Sequence, residues 1–139
     1  MKMKLILCGF AASLMFLQPT MAEDETPLGK QMETMNDAYK AMRRETDPAK
    51  GAALAREAQD AMVKAIVELP EMVKAMPEGP EKAKASAGFR KMMGGLIATL
   101  CDMEIAFLDG DMAKVKEIVE SMRDIKKQGH EKFMEEEEE

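Results

Sequence analysis

The sequence is poor in the residues from which many folds and catalytic sites are built. Its 139 residues include no Trp, one Tyr and a single His. So few aromatic residues argue against an all-β fold, because strands are enriched in aromatic and β-branched side chains. One histidine cannot form a zinc site that needs several, and the P-loop, GxSxG and HExxH motifs are all missing. These absences exclude many common enzyme classes.

The chain also has no excess of positive charge, because its 20 Lys and Arg residues are outnumbered by 26 Asp and Glu residues. The formal net charge is −6 at pH 7, which gives no electrostatic footprint for nucleic acid. Hydrophobic residues make up 46% of the chain, enough to build a core and to exclude global disorder. Ala, Met, Leu, Lys and Glu are abundant, and all of them favour helices. Length and composition together indicate one helical domain.

The N-terminal segment has the pattern of a signal peptide. Lys2 and Lys4 precede 13 apolar residues at 5–17, and Thr20 and Ala22 are the small residues expected before a cleavage site. Thirteen residues are too few to span a bilayer, so we expect residues 1–22 to be removed and no membrane span to remain. A retained anchor is the alternative. The remaining chain has a net charge of −8, because two lysines and no acidic residues are lost. We therefore expect export, most simply to a bacterial periplasm.

Cysteine is nearly absent from the exported chain. Only Cys101 remains after cleavage, so no intramolecular disulfide can form and stability must come from packing. We expect Cys101 to be a small residue between packed helices and the protein to be a monomer. A dimer linked through Cys101 is the alternative.

Four amphipathic stretches follow, each with its own start and stop signals. Thr26-Pro27 and Asp47-Pro48 have the pattern of an N-cap followed by proline, and Asp109-Gly110 has that of a helix end. The predicted helices cover about 26–44, 47–69, 81–108 and 112–134, and the glutamates at 135–139 form an acidic tail. Short connections make successive helices antiparallel neighbours. The sequence thus predicts an all-α domain at 23–134, an up-down-up-down four-helix bundle. The inward positions recur at spacings of three and four and include Leu28, Met32, Met35, Tyr39, Met42, Leu54, Ala58, Met62, Ile66, Leu69, Phe89, Met93, Leu96, Leu100, Met103, Phe107, Val115, Val119, Met122 and Phe133.

This topology places the single histidine near a methionine. The first helix starts, and the fourth ends, at the same end of such a bundle. Met32 and His130 both lie roughly 6–8 Å from that end, at ~1.5 Å rise per residue. His130 is also within about 20° of the face of Val119, at ~100° per residue, and so points toward the bundle. We expect an imidazole and a thioether to face each other across an apolar slot.

Three interpretations of this slot remain open. Imidazole and thioether together suit a low-spin haem iron, which takes His and Met as axial ligands. Alternatively, His130 is merely solvated near a helix end and the bundle binds only another protein. The third interpretation is Cu(I) binding, because thioethers are soft ligands. Its candidate ligands are Met32, Met35, Met92 and Met93.

Three short segments carry a resemblance to a known family. Residues 32–37 (METMND), the pair Phe89-Arg90, and the twenty residues from Gly110 to His130 with the following Lys132-Phe133 resemble the soluble cytochrome b-562 family. The resemblance covers about 28–134. It implies a periplasmic one-electron carrier that is not an enzyme and whose partners are other redox proteins. It also implies haem b, one per chain and held non-covalently, since no CxxCH motif is present.

The resemblance also assigns site residues. It implies that Met32 and His130 are the axial ligands and that Phe89 and Met93 form part of the haem wall. Lys126 stands where the family more usually has arginine, and it can meet a haem propionate as a point charge. Gly129 stands where the family often has an aromatic residue, which opens space beside the iron.

Overall fold

The computed structural model describes residues 25–133, and all of its regular structure there is helical. The predicted signal peptide and the acidic tail lie outside the described residues. Within residues 25–133, no helix is both long and apolar enough to cross a membrane. The helices are α1 (Pro27–Met42), α2 (Pro48–Ala65), α3 (Glu71–Lys74), α4 (Pro80–Leu108) and α5 (Met112–Phe133).

Three of the long helices begin at the caps that the sequence predicts. The Thr26 side chain accepts a hydrogen bond from the Gly29 N–H at 2.9 Å, and Asp47 accepts one from the Lys50 N–H at 2.8 Å. Proline follows each of these caps, where no intrahelical partner for an N–H exists. Asp111 caps α5 through the Lys114 N–H at 3.0 Å. These contacts are local, and therefore the sequence predicts them correctly.

The end of α2 corrects the predicted architecture. We expected the second helix to continue to Leu69, but it ends at Ala65, and the Glu68 N–H donates to the Ala65 carbonyl in a turn. Pro70 explains this early end, because a proline has no N–H to donate to the carbonyl four residues earlier, that of Ile66, and its ring clashes with that carbonyl in a helix. The following connection is also not a plain loop, because it contains α3. The described chain thus has five helices and not four.

The long helices pack through a continuous apolar core. Between α2 and α4, the buried Gln59 side chain donates to the Leu100 carbonyl at 3.2 Å and to Glu104 at 2.7 Å. The fully buried Phe107 ring lies farther along α4, over the beginning of α2. The most deeply buried side chains are Phe107, Met42, Met62, Met93, Leu100, Met103 and Val73.

Helix α5 contacts both α4 and α1. The rings of Phe89 and Phe133 meet edge to face, with centroids 5.5 Å apart. The Tyr39 hydroxyl donates to the Val119 carbonyl at 3.2 Å, which ties α1 to α5. Both contacts are buried, so α5 is held along its length and not only at its connection.

A glycine near the beginning of α2 is required by close packing. A Cβ at Gly51 would overlap the Phe107 ring, and the Gly51→Ala variant must therefore displace a fully buried side chain. We expect it to lower the free energy of unfolding by about 1–3 kcal/mol, the usual cost of overpacking. Gly88→Ala is the matched control, because a Cβ there meets nothing within 4 Å. The control should gain roughly 0.5–1 kcal/mol from better helix propensity. Urea unfolding measures both, and an equally stabilising Gly51→Ala would contradict the packing.

Candidate functional site

One end of the bundle contains a cavity of about 360 Å³. Helices α1, α4 and α5 and the segment just after α2 surround it. This volume lies in the range of small-molecule sites, roughly 300–1,000 Å³. The lining is mainly apolar, with few polar groups. The apolar lining residues are Leu28, Met32, Met35, Tyr39, Leu69, Pro70, Phe89, Met92, Met93, Leu96, Met122, Ile125 and Phe133.

All five residues predicted for the site line this one cavity, namely Met32, Phe89, Met93, Lys126 and His130. They come from α1, α4 and α5, and the first and last of them are 98 positions apart in the sequence. The fold therefore brings together the thioether and the imidazole that the sequence analysis placed at the same end of the bundle.

The two candidate ligands differ in exposure. Met32 lies in the second turn of α1 and is half-buried, whereas His130 lies in the last turn of α5 and is exposed. Among residues 25–133 the imidazole has no hydrogen-bond partner. Its nitrogens are thus not used by the part of the chain that the structure describes. The donor set is a thioether and an imidazole, the pair that haem iron accepts in low-spin cytochromes.

The wall behind these donors is rigid. Phe89 and Met93 lie one turn apart on α4 and are 2% and 1% exposed, respectively. Phe133 from α5 packs edge-on against Phe89 with an interplanar angle of 80°. Such pairs stabilise a wall beyond the area that they bury. A flat apolar ligand would therefore meet a preformed surface.

A polar contact connects the two helices beside the cavity. The Lys126 Nζ atom donates to the Asn36 side-chain oxygen at 2.8 Å, and both residues line the cavity. Because they are 90 positions apart, no periodicity in the sequence could indicate this pair. Glu33 and Glu71 are the acidic residues in the same lining. Lys126 is exposed, so its ammonium group can exchange Asn36 for an anionic ligand group without losing solvation.

Gly129 is the position where the sequence predicts extra space, and the structure shows what fills it. A Cβ at Gly129 would lie 3.2 Å from the Met92 Sδ atom and 3.4 Å from its Cε atom. The half-buried Met92 side chain therefore extends to the backbone of α5. An aromatic residue at this position would displace it. Met92 thus replaces part of the wall that a larger residue at 129 would supply.

Sequence reasoning missed part of the wall. Pro70 and Glu71 line the cavity from the segment between α2 and α4, which the sequence analysis treated as a connection only. Leu69, an inward position in the sequence, also lines the cavity although it lies beyond α2, whereas Ile66 does not line it. The only available signal was the proline that turns the chain at this point.

The four candidate copper ligands lie close together in the structure. Met32, Met35, Met92 and Met93 all line the same cavity. Met35 and Met93 are buried core residues, which suits the packing role of methionine. Within residues 25–133, no group of three or more His, Cys, Asp or Glu side chains is placed to hold a metal ion.

Comparison with known proteins gives one finding. No curated protein and no solved structure matches the chain. A family model described as Cytochrome b562 matches residues 27–134, which contain every helix and the whole cavity lining except Thr26. The match covers well over half of the sequence and confirms the predicted resemblance. The chain belongs to the cytochrome b562 family, a family of haem-binding electron-transfer proteins.

Proposed function

We propose that the protein is a periplasmic electron carrier that binds one b-type haem, with Met32 and His130 as axial ligands. The observation that carries this proposal is that the only imidazole of the chain and a half-buried thioether line one largely apolar cavity. Binding is non-covalent, because the sequence has no CxxCH motif.

The proposal includes an up-down-up-down arrangement of the four long helices. Contacts in three helix pairs support it, because higher residue numbers on one helix match lower numbers on its neighbour. On α1 and α5, Asn36 contacts Lys126 and Tyr39 contacts Val119. On α4 and α5, Phe89 meets Phe133, and Met92 lies beside Gly129. On α2 and α4, Gln59 contacts Leu100 and Gly51 approaches Phe107.

The residues of the cavity define the mechanism. Bound haem supplies an iron that alternates between its ferric and ferrous states. Met32 contributes a thioether that favours the ferrous state, and His130 contributes the stronger nitrogen donor. If Met32 and His130 both held the iron, the chain would leave no position there for oxygen or peroxide, and the protein would transfer electrons without acting as an enzyme. Phe89 and Met93 exclude water, which limits the reorganisation of solvent during transfer.

Lys126 orients the cofactor in this proposal. Its ammonium group lies among the lining residues and bonds only the neutral Asn36 side chain. A propionate would add a negative charge to the acceptor side, and its bond to the ammonium group would therefore be stronger than the present bond to a neutral amide. Lysine acts as a point charge, without the two-pronged geometry of arginine, so it favours a position without fixing one orientation.

The location and the partners follow from charge and targeting. The predicted signal peptide supports export, and the chain beyond it carries a net charge of −8 once its two lysines are removed. Encounters between electron carriers depend on complementary surface charge. We expect the partners to be redox proteins with basic surfaces.

A haemin titration of the exported protein tests the proposal. We expect a Soret band that saturates at one haem per chain. A Cu(I) titration is run in parallel, because the same cavity contains four methionines. Stoichiometric Cu(I) uptake by protein that shows no Soret band would support the copper alternative. A protein that binds neither would support the alternative of a bundle that binds only another protein.

Haem should also stabilise the end of the bundle that binds it. A ligand that binds only the folded state raises its stability, and the melting temperature should therefore fall when haem is removed. We expect amide exchange to become faster near Met32 and His130, and less so near Phe107 and Val115 at the far end. Hydrogen exchange measured with and without haem checks this. Equal changes at both ends would contradict a cavity confined to one end.

A further inference from the structure

The outward face of α4 is apolar although it is exposed. Ile105 is 56% exposed and Leu108 is 63% exposed. At ~100° per residue, Ile105 lies nearly opposite to the buried Leu100 and Phe107, and Leu108 lies about 60° from Ile105 on the outward side. Small and apolar residues continue along this side at one spacing of seven, which contains Arg90 and Lys91, and then at spacings of four and three, which are typical of a helix face that packs against a partner. We call this surface the α4 outer face, and it consists of Ala87, Gly94, Ala98, Cys101, Ile105 and Leu108. None of these residues lines the cavity.

Two adjacent glycines lie at the middle of this helix without a role in the packing of the chain itself. A Cβ at Gly94 or at Gly95 would meet nothing within 4 Å. Glycine inside a helix is destabilising relative to alanine. These two residues therefore weaken α4, and no close contact within residues 25–133 requires them. Small residues do allow the backbone of a second helix to approach closely. Gly94 lies at the centre of the outer face, where such a helix would cross.

Four charges follow one edge of the outer face in a symmetric order. Lys84, Lys91, Asp102 and Asp109 lie within about 20° of one another around the helix axis, at ~100° per residue. Lys91 and Asp102 are equidistant from a point between residues 96 and 97, and Lys84 and Asp109 are equidistant from the same point. None of the four forms an ion pair within residues 25–133. The charges of this edge are therefore complementary to those of an identical edge that runs antiparallel to it.

We propose that a second copy of the chain docks antiparallel on the α4 outer face and forms a symmetric dimer. The two-fold axis passes α4 between residues 96 and 97, so every contact occurs twice. Lys91 meets the partner's Asp102, and Lys84 meets the partner's Asp109. The charge pattern favours this occupant, because an inverted copy of the same edge pairs all four charges.

The same register packs large side chains against small ones. Ile105 lies beside the partner's Ala87, and Gly94 lies near the partner's Ala98 at the crossing point. The aliphatic stems of Lys84 and Lys91 cover apolar surface while their ammonium groups reach the acidic edge. Apolar surface that is exposed in the monomer thus becomes buried in the dimer.

The dimer is not covalent. Cys101 lies about four and a half residues from the symmetry point, so two copies are roughly 14 Å apart along the helix, at ~1.5 Å per residue. A disulfide requires Cα atoms within about 7 Å of each other. The sequence predicts a monomer, with a Cys101-linked dimer as the alternative. The proposed non-covalent dimer differs from both.

Sedimentation equilibrium of the exported protein over a concentration series tests the dimer. We expect Lys91→Glu and Asp102→Lys each to raise the dimer Kd about tenfold, since each change turns two attractions into repulsions. The double variant K91E/D102K should return to within about threefold of the original Kd. An equimolar mixture of the two single variants should associate more tightly than either alone, because all four edge contacts are then attractive.

Lys116→Glu is the matched control, since it makes the same charge change at an exposed position of α5. It should leave the dimer Kd unchanged. A protein that remains monomeric up to about 1 mM, which corresponds to about −4.1 kcal/mol, would overturn the proposal. So would a dimer that disappears in the Cys101→Ser variant, or a double variant as weak as the single ones.

Discussion

Replacing His130 with alanine is expected to abolish low-spin haem binding while the apo-protein keeps its stability. The chain has no second histidine that could take over. His130 is exposed and has no hydrogen-bond partner among residues 25–133, so its removal should change the free energy of unfolding by no more than about 0.5 kcal/mol. Haem affinity should fall by more than roughly 10–100-fold, which is the usual cost of losing a group that only hydrogen-bonds to a metal ligand. Haemin titration and urea unfolding measure the two effects.

Gln128→Ala is the control for His130→Ala. It lies two residues earlier on α5, is exposed and does not line the cavity. Its haem affinity should equal that of the unsubstituted protein. If His130→Ala kept an unchanged low-spin spectrum, His130 would not be the ligand, and the proposed haem ligation would be wrong.

The Met32→Leu variant should remove the sulfur ligand while it largely keeps the packing of α1. Leucine nearly preserves the volume of methionine, and such exchanges usually cost less than about 1.5 kcal/mol. Because Met32 is half-buried, the loss in free energy of unfolding of the apo-protein should be smaller than at a core position. The thioether is nevertheless lost, so bound haem should become five-coordinate and high-spin. The reduction potential should fall, because the preference of sulfur for ferrous iron is gone. Absorption spectra and a redox titration measure both changes.

Met35→Leu is the matched control for the sulfur. Met35 lies three residues later on α1, lines the same cavity and is buried. This variant should remain low-spin with its reduction potential nearly unchanged. A low-spin Met32→Leu variant would rule out Met32 as the ligand. A high-spin Met35→Leu variant would assign the ligand to Met35.

The beginnings of the helices could be predicted because their determinants are local. Thr26 and Asp47 each bond an N–H three residues later and precede a proline. Asp111 makes a contact of the same span at the beginning of α5. Such signals are complete within four residues of sequence, so no tertiary information is needed to find them.

The region between α2 and α4 could not be predicted in the same way. The apolar spacing of Ile66 and Leu69 continues the pattern of α2, although the helix has already ended at Ala65. Both residues still pack against the core, so the periodicity reports burial correctly and conformation incorrectly. Helix α3 has only four residues, which is too short for periodicity to indicate.

The positions of the two candidate ligands could be predicted from the sequence, and the side-chain contacts of the site could not. The bundle topology and helical rise are sufficient to place Met32 and His130 at one end, and both line the cavity. The contact between Asn36 and Lys126 depends on the rotation and separation of two helices that are distant in sequence. The same holds for Met92 beside Gly129. A periodic pattern in the sequence encodes neither the rotation of two helices relative to each other nor their separation.

The absorption spectrum of the haem-loaded protein, recorded oxidised and then reduced with dithionite, tests the central proposal most directly. Met32 and His130 together should fill both axial positions and give a low-spin iron. We therefore expect sharp, separate α and β bands on reduction. A colourless protein that also ignores added haemin, or a reduced spectrum without these bands, would contradict Met/His ligation.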